Sequence, residues 1–274
     1  MSAGSLRMAD GCRLAFADEG EGVPVLWQHG LGADRGQPAE VFPDPPGARR
    51  ITLECRGHGA SELGDPDRLS IAQFAEDAVA LLDHLGIRRA MVGGISLGAA
   101  IALRIAATRP ERVLGLILAR PAWVDAAGPE HMRIYGEVAE ALAAHGAEAG
   151  ARVFEGSALL AEVEAMSPDN AASLRWFFTR ATPETTVALL SRIPLDGPGV
   201  TREGIATLGT PALVIANGED YVHSLATARA LAGLVPGARY REITSKTLDR
   251  GRYVGEFRAA IAAFLTEVER ADAG

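Results

Sequence analysis

Apolar residues along the chain fall into two alternating kinds of run. Short continuous ones, Val23-Pro24-Val25-Leu26-Trp27-Gln28, Arg50-Ile51-Thr52-Leu53, Arg89-Ala90-Met91-Val92 and residues 113–119, have the length of buried strands. Longer ones have helical character. Ser70-Ile71-Ala72-Gln73 has capping-box form and opens a helix carrying Phe74, Val79, Leu81, Leu82 and Leu85, stopped at Gly86. Residues 101–108 hold neither Gly nor Pro and predict another helix. Near the start, short strand-like runs at 6–8 and 13–17 flank Asp10-Gly11, a two-residue hairpin signal. Toward the end come a strand at 211–216, a helix at 225–234, a strand at 238–243 and an amphipathic helix at 253–268. Repeated βα units of this kind predict a mostly parallel sheet with helices on both faces.

One stretch breaks the alternation. From about Trp123 to Val200 no strand-like run occurs, and several helical segments take its place. Two begin with Pro behind a hydroxyl, Ser167-Pro168 and Thr182-Pro183-Glu184, the arrangement of a capped first turn. The organisation expected is an α/β core of residues 1–122 and 201–274, with a helical cap of residues 123–200 inserted into it. Trp123, Trp176 and Phe177 are the bulky apolar candidates for lining a substrate pocket beneath that cap.

Composition narrows the class without naming a function. The 274 residues are 48% hydrophobic and 23% charged, ordinary for a globular chain with a sizeable core. Net charge is −8 with no basic run, which disfavours nucleic acid or an anionic membrane as a partner. The first ten residues lack the apolar core of a signal peptide, and no apolar run has the length of a membrane span. Cys12 and Cys55 have neither the number for a disulfide framework nor metal-site spacing. These features lead to the expectation of a cytoplasmic protein without metal or cofactor, acting on a small molecule. An exposed cap or edge strand would offer a contact for a homodimer.

The chemistry centres on Gly93-Gly94-Ile95-Ser96-Leu97-Gly98-Ala99-Ala100, which lies between a predicted strand and a predicted helix. G-x-S-x-G spacing at such a junction is that of a nucleophile elbow: a tight turn, with small neighbours, that lifts the serine hydroxyl clear of the sheet. Three further motifs follow an order around it, His29-Gly30-Leu31-Gly32, Arg56-Gly57-His58-Gly59-Ala60-Ser61 and Asn217-Gly218-Glu219-Asp220. Together these residues resemble the α/β-hydrolase superfamily over nearly the whole chain, most closely the lidded bacterial group of 3-oxoadipate enol-lactonases, esterases and cofactor-free haloperoxidases.

The resemblance implies roles residue by residue. Ser96 would be the nucleophile, and the backbone N–H groups of Leu31 and Leu97 would form the oxyanion hole. Asp220 would be the acid of a triad, with Glu219 the weaker candidate, since Ser then Asp then His is the chain order on this fold. His29 is expected to shape its turn, His58 to face solvent, and His84 to sit on a helix surface. A serine rather than an aspartate at the elbow argues against chemistry that proceeds through an alkyl-enzyme ester.

At one place the pattern breaks. The loop where the resemblance calls for histidine reads Thr244-Ser245-Lys246-Thr247-Leu248-Asp249-Arg250-Gly251-Arg252 and contains none. Counting back from Phe264-Leu265 puts Lys246, Thr247 or Leu248 at that position, and all six histidines lie upstream. His223, three residues after Asp220, is the nearest substitute base; the bland reading is a local Asp-x-x-His turn. Lys246 would need burial to serve, and His131 or His145 would have to fold inward from the cap. The first expectation is therefore a serine-nucleophile hydrolase of small apolar esters, lactones or thioesters. The second is a catalytically weakened pseudo-hydrolase or small-molecule binding protein. A cofactor-free lyase or oxygenase on the same scaffold ranks third.

Overall fold

Eight strands make one sheet in the order β1-β2-β4-β3-β5-β6-β7-β8 in this computed structural model, which describes residues 2–43 and 47–272. The strands are β1 (Ser2–Arg7), β2 (Arg13–Glu19), β3 (Gly22–Gln28), β4 (Gly47–Leu53), β5 (Ala90–Ile95), β6 (Val113–Ala119), β7 (Ala212–Asn217) and β8 (Arg239–Ile243). β1 and β2 pair antiparallel, as do β2 and β4; every other pairing is parallel. The elbow strand β5 therefore lies inside the sheet, between β3 and β6.

Alternation along the strands divides the core in two. Val25 and Trp27 of β3, Met91 and Ile95 of β5, and Ile117 of β6 pack with α1 (Gly36–Val41) and the last helix, α10 (Arg250–Asp272), through Val41, Phe257, Ile261 and Phe264. Leu26, Val92, Leu116 and Leu118 face the other way, onto α2 (Ile71–His84), α3 (Leu97–Thr108) and α9 (Leu225–Leu234). Ser70 caps α2 by accepting from Gln73 N–H at 3.0 Å, as the capping box predicts.

Between β6 and β7 the chain builds α4 (Arg133–Glu155), α5 (Ala158–Met166), α6 (Pro168–Trp176), α7 (Pro183–Arg192) and the short α8 (Arg202–Ala206). Ser167 caps α6 by accepting from Asn170 N–H, whereas the Thr182 side chain makes no cap bond to α7. Its Pro183 start suffices, because proline at the first position removes one of the unsatisfied donors. These helices are tied to the sheet's carboxyl-end loops. Asn170 Oδ1 accepts from Val222 N–H at 3.0 Å, and Asp196 Oδ2 accepts from Ile71 N–H at 2.7 Å. The carboxyl ends of parallel strands are where open α/β sheets bind ligands.

The amino-terminal hairpin is wider than the Asp10-Gly11 signal predicts. Met8 N–H bonds Cys12 C=O at 2.8 Å and Asp10 Oδ1 accepts from Cys12 N–H at 3.1 Å, with Gly11 at φ 87°. Among the described residues, no helix is long and apolar enough to cross a membrane, and no cluster of His, Cys, Asp or Glu could hold a metal ion.

Candidate active site

Ser96 stands between β5 and α3 at φ 56°, ψ −110°, a left-handed conformation that side chains rarely adopt. The turn survives because its neighbours are glycines. A Cβ on Gly94 would lie 2.6 Å from Gly98 C and 2.7 Å from Gln28 O, and one on Gly98 would lie 2.4 Å from the same carbonyl. The Ser96 side chain does not cap its own helix. Leu97 opens α3, where position leaves its N–H without an intrahelical acceptor, and the helix directs its positive end at the same place.

Ser96 lines a cavity of about 800 Å³. Leu31 and Gly32 from the loop after β3, His223, and Trp176 and Phe177 from the inserted helices share that wall, with Arg120, Lys246 and Asn170. Trp123 was expected in the pocket and is not part of this wall. It is packed into the core, with its indole N–H donating to Asp196 C=O at 2.9 Å, so it anchors the start of the inserted segment.

Asp220 and His223 are both buried and directly joined. His223 Nδ1 lies 2.8 Å from Asp220 Oδ1, and the His223 backbone N–H donates to the same oxygen at 3.1 Å. A nitrogen that close to a carboxylate oxygen carries the proton, which leaves Nε2 as the acceptor. That Nε2 is buried and has no hydrogen-bond partner. Burial holds the ring below the ordinary imidazole range; Asp220 opposes this and the Arg120 cation adds to it. Among the described residues, no hydrogen bond joins His223 to Ser96. Glu219 is exposed and takes no part, His145 is exposed, and His131 spends Nε2 on Ala122 C=O at 2.8 Å.

Arg120, the residue after β6, escaped the motif reading. It is buried, with φ 45°, and its N–H is fixed on Ile215 C=O at 2.7 Å. Its Nε and Nη2 reach Asp220 Oδ2 at 2.8 and 2.6 Å. Burial alone would raise the Asp220 carboxyl, but the charge of Arg120 and the bond to His223 hold it well below the usual carboxylate range. Lys246, where the resemblance calls for histidine, also reaches the cavity, and its Nζ pairs with Asp169 Oδ1 of α6 at 2.8 Å.

One of two adjoining histidines differs from expectation. His58 is fully buried rather than solvent-facing, with Nδ1–H donating to Arg56 C=O at 2.9 Å and Nε2 accepting from Gly32 N–H at 3.0 Å. Both ring nitrogens are satisfied by backbone, so burial as the neutral ring is affordable. His29 lies against it, with ring centroids 4.7 Å apart; it donates to Gly30 C=O at 2.8 Å and accepts from Cys55 N–H at 3.0 Å, which holds its turn together.

This sheet order, with a serine at the head of the helix after β5, defines the class. The sequence profile described as "alpha/beta hydrolase fold" matches residues 23–245, and the chain belongs to that family. It is 38% identical over 120 residues to a 2-hydroxymuconate semialdehyde hydrolase of Pseudomonas putida, a stretch covering 40% of this chain and 41% of that enzyme. The chain thus spans well under half the length of this curated relative. Among solved structures it is similar to a thermophilic esterase from Thermogutta terrifontis, with TM-score 0.74, 25% identity, and 98% and 99% of the two chains covered. It shares the fold of an enol-lactonase from Burkholderia xenovorans LB400, with TM-score 0.73, 24% identity, and 96% and 100% covered.

Proposed function

We propose that the chain is a serine hydrolase of small, largely apolar esters, lactones or thioesters, working through an acyl-enzyme on Ser96. The observation that carries this reading is the Asp220–His223 pair. It supplies a neutral imidazole whose buried Nε2 has no partner, on a residue that lines the same cavity as Ser96. Substrate entering beneath the inserted helices, read here as a cap of residues 123–200, places its acyl carbon at Ser96 Oγ. As the C–O bond forms, the hydroxyl proton passes to His223 Nε2, and the N–H groups of Leu31 and Leu97 receive the oxyanion. Collapse expels the alcohol or thiol, which takes the proton back, and water repeats the sequence to free the acid. Trp176 and Phe177 provide the apolar wall, and the reaction as drawn uses no metal or cofactor.

A second reading, a binding protein on the same fold, is favoured by the ion pair that Arg120 makes with Asp220 and by the lack of a Ser96–His223 hydrogen bond. Treatment with a fluorophosphonate, followed by mass spectrometry, separates the two. Labelling at Ser96 that is lost in His223→Ala supports the hydrolase with His223 as base. Labelling that persists in His223→Ala removes His223 from the role. Absence of labelling in a folded protein leaves the binding reading.

A further inference from the structure

Asn170, in the first turn of α6, is only 5% exposed and lines the same cavity as Ser96. Its backbone N–H is spent on Ser167 Oγ at 3.3 Å, and its Oδ1 accepts from Val222 N–H at 3.0 Å. The second bond fixes which way the amide is turned, because a backbone N–H needs an oxygen opposite it. Both amide hydrogens therefore sit on Nδ2, and among the described residues Nδ2 has no hydrogen-bond partner. A buried N–H without an acceptor is unfavourable, and the loss is recovered when an oxygen arrives. The other polar groups of the wall are differently placed. Arg120, Lys246 and Arg250 are paired with Asp220, Asp169 and Glu40. Gln37 of α1 is turned by Gly30 N–H at 2.7 Å in the same manner, but it is half-buried and lies beside the loop that carries Leu31.

We propose that Asn170 is a specificity-determining residue, whose Nδ2 donates to a neutral acceptor oxygen of the ligand, and that in a substrate this oxygen lies on the leaving-group side. Val222, which holds the amide, is the residue before His223, so Asn170 is fastened to the backbone beside the proposed base. A base that has taken the Ser96 proton returns it to the leaving atom, so the alcohol or thiol part of a substrate lies on that side. Further along the cavity the same stretch of chain presents Ser173, Trp176 and Phe177, at helical spacing, so the amide stands at the polar end of a stripe that ends in two aromatic rings. The substrate class sharpens to esters or thioesters whose leaving alcohol or thiol carries an ether, carbonyl or hydroxyl oxygen of its own. The leaving-group assignment rests on the hydrolase reading; the donor does not.

The test is calorimetry at mildly alkaline pH on Ser96→Ala protein, which lacks the proposed nucleophile, with 2-methoxyethyl butyrate and butyl butyrate. The two esters have one length and differ by an ether oxygen in place of a methylene in the alcohol. The quantity read is the ratio of their Kd values. Adding Asn170→Asp or Asn170→Leu should move that ratio toward the butyl ester by about fivefold, the worth of one neutral hydrogen bond. Asn170→Asp keeps the oxygen that Val222 N–H needs and removes only the donors; Asn170→Leu removes them without adding a charge. Where Asn170→Leu fails to fold because Val222 N–H is left unpaired, Asn170→Asp gives the answer alone. A ratio unchanged in the Asn170 variants overturns the proposal, and so does a ratio that moves only in Gln37→Glu. Hydrolysis of the two esters by the parent protein is measured separately. Discrimination through Asn170 in a protein that hydrolyses neither ester would overturn the hydrolase reading and leave the donor standing; hydrolysis with an unchanged ratio would do the reverse.

Discussion

Gly32 donates its backbone N–H to Nε2 of His58 at 3.0 Å, so an imidazole from the turn after β4 holds the loop after β3. The same glycine is gripped twice more. Arg180, which follows the inserted helix α6, donates to Gly32 C=O and, at 3.1 Å, to Gly57 C=O, and the Phe177 ring fills the space where a Gly32 side chain would stand. Leu31, whose N–H is the proposed oxyanion donor, is the residue just before. His58→Ala leaves a buried donor unpaired and should cost about 1–3 kcal/mol of stability. It should also lower kcat more than it raises KM, since the displaced N–H acts on the transition state. Urea denaturation and steady-state ester kinetics together check both halves.

The buried rings predict a pH dependence of one sign. Burial depresses the pKa of His29, His58 and His223, so each stays neutral in the fold while an unfolded imidazole takes up a proton near pH 6.5. Their contribution to stability is complete above about pH 6.5 and is lost as pH falls from there through the folded values. Thermal melts between neutral and acidic pH should show Tm falling with acidity, and His58→Gln should flatten the slope. A Tm that rises on acidification over this range would contradict the assignment of neutral rings.

Arg120 and Asp220 should behave as one unit. Removing either charge alone strands the other in the core and should cost about 3–5 kcal/mol, while the double change Arg120→Gln/Asp220→Asn should cost much less than the two single costs added. A double-mutant cycle by chemical denaturation measures the coupling; simple additivity would mean that the pair is not a closed ion pair in solution.

The elbow has no room for a methyl group. Gly98→Ala puts a Cβ 2.4 Å from Gln28 C=O, backbone that cannot step aside without moving β3, and should destabilise by about 1–3 kcal/mol. Gly209→Ala has nothing within 4 Å of its Cβ and serves as the control, with a Tm close to that of the parent.

What could be read in the chain follows from where each signal lives. β6 (Val113–Ala119) and α9 (Leu225–Leu234) were legible to the residue, because their apolar runs and capping groups are local. α1 (Gly36–Val41) was not: six residues, a Pro38 and no side-chain cap leave no helical signature, and it exists because Val41 packs against α10. His58 sits between glycines in a polar turn that reads as exposed, and its burial depends on a carbonyl and an amide from two separate loops. Arg120 is the plainest case. A charge after an apolar strand reads as the strand's wet end, and its partner Asp220 lies 100 residues away. Ser96, Asp220 and the Leu31 loop, the proposed nucleophile, acid and oxyanion donor, carry sequence motifs; the cation Arg120 beside Asp220 carries none.

The Lys246–Asp169 pair has a kinetic consequence. It joins the last core loop to α6 across the cavity wall, with both side chains about a quarter exposed, 28% and 22%. Ions reach such a pair and screen it over a distance on the order of 10 Å at 0.1 M salt. A molecule whose way out lies between α6 and the last core loop would part these two charges. On that route its residence time should shorten as salt is raised, even where its equilibrium contacts are apolar; stopped-flow release measured across salt concentrations in the parent and in Lys246→Ala checks it. The ionic medium becomes a setting on the exchange clock of the cavity, and the speed of exchange can change with the shape of the pocket unaltered.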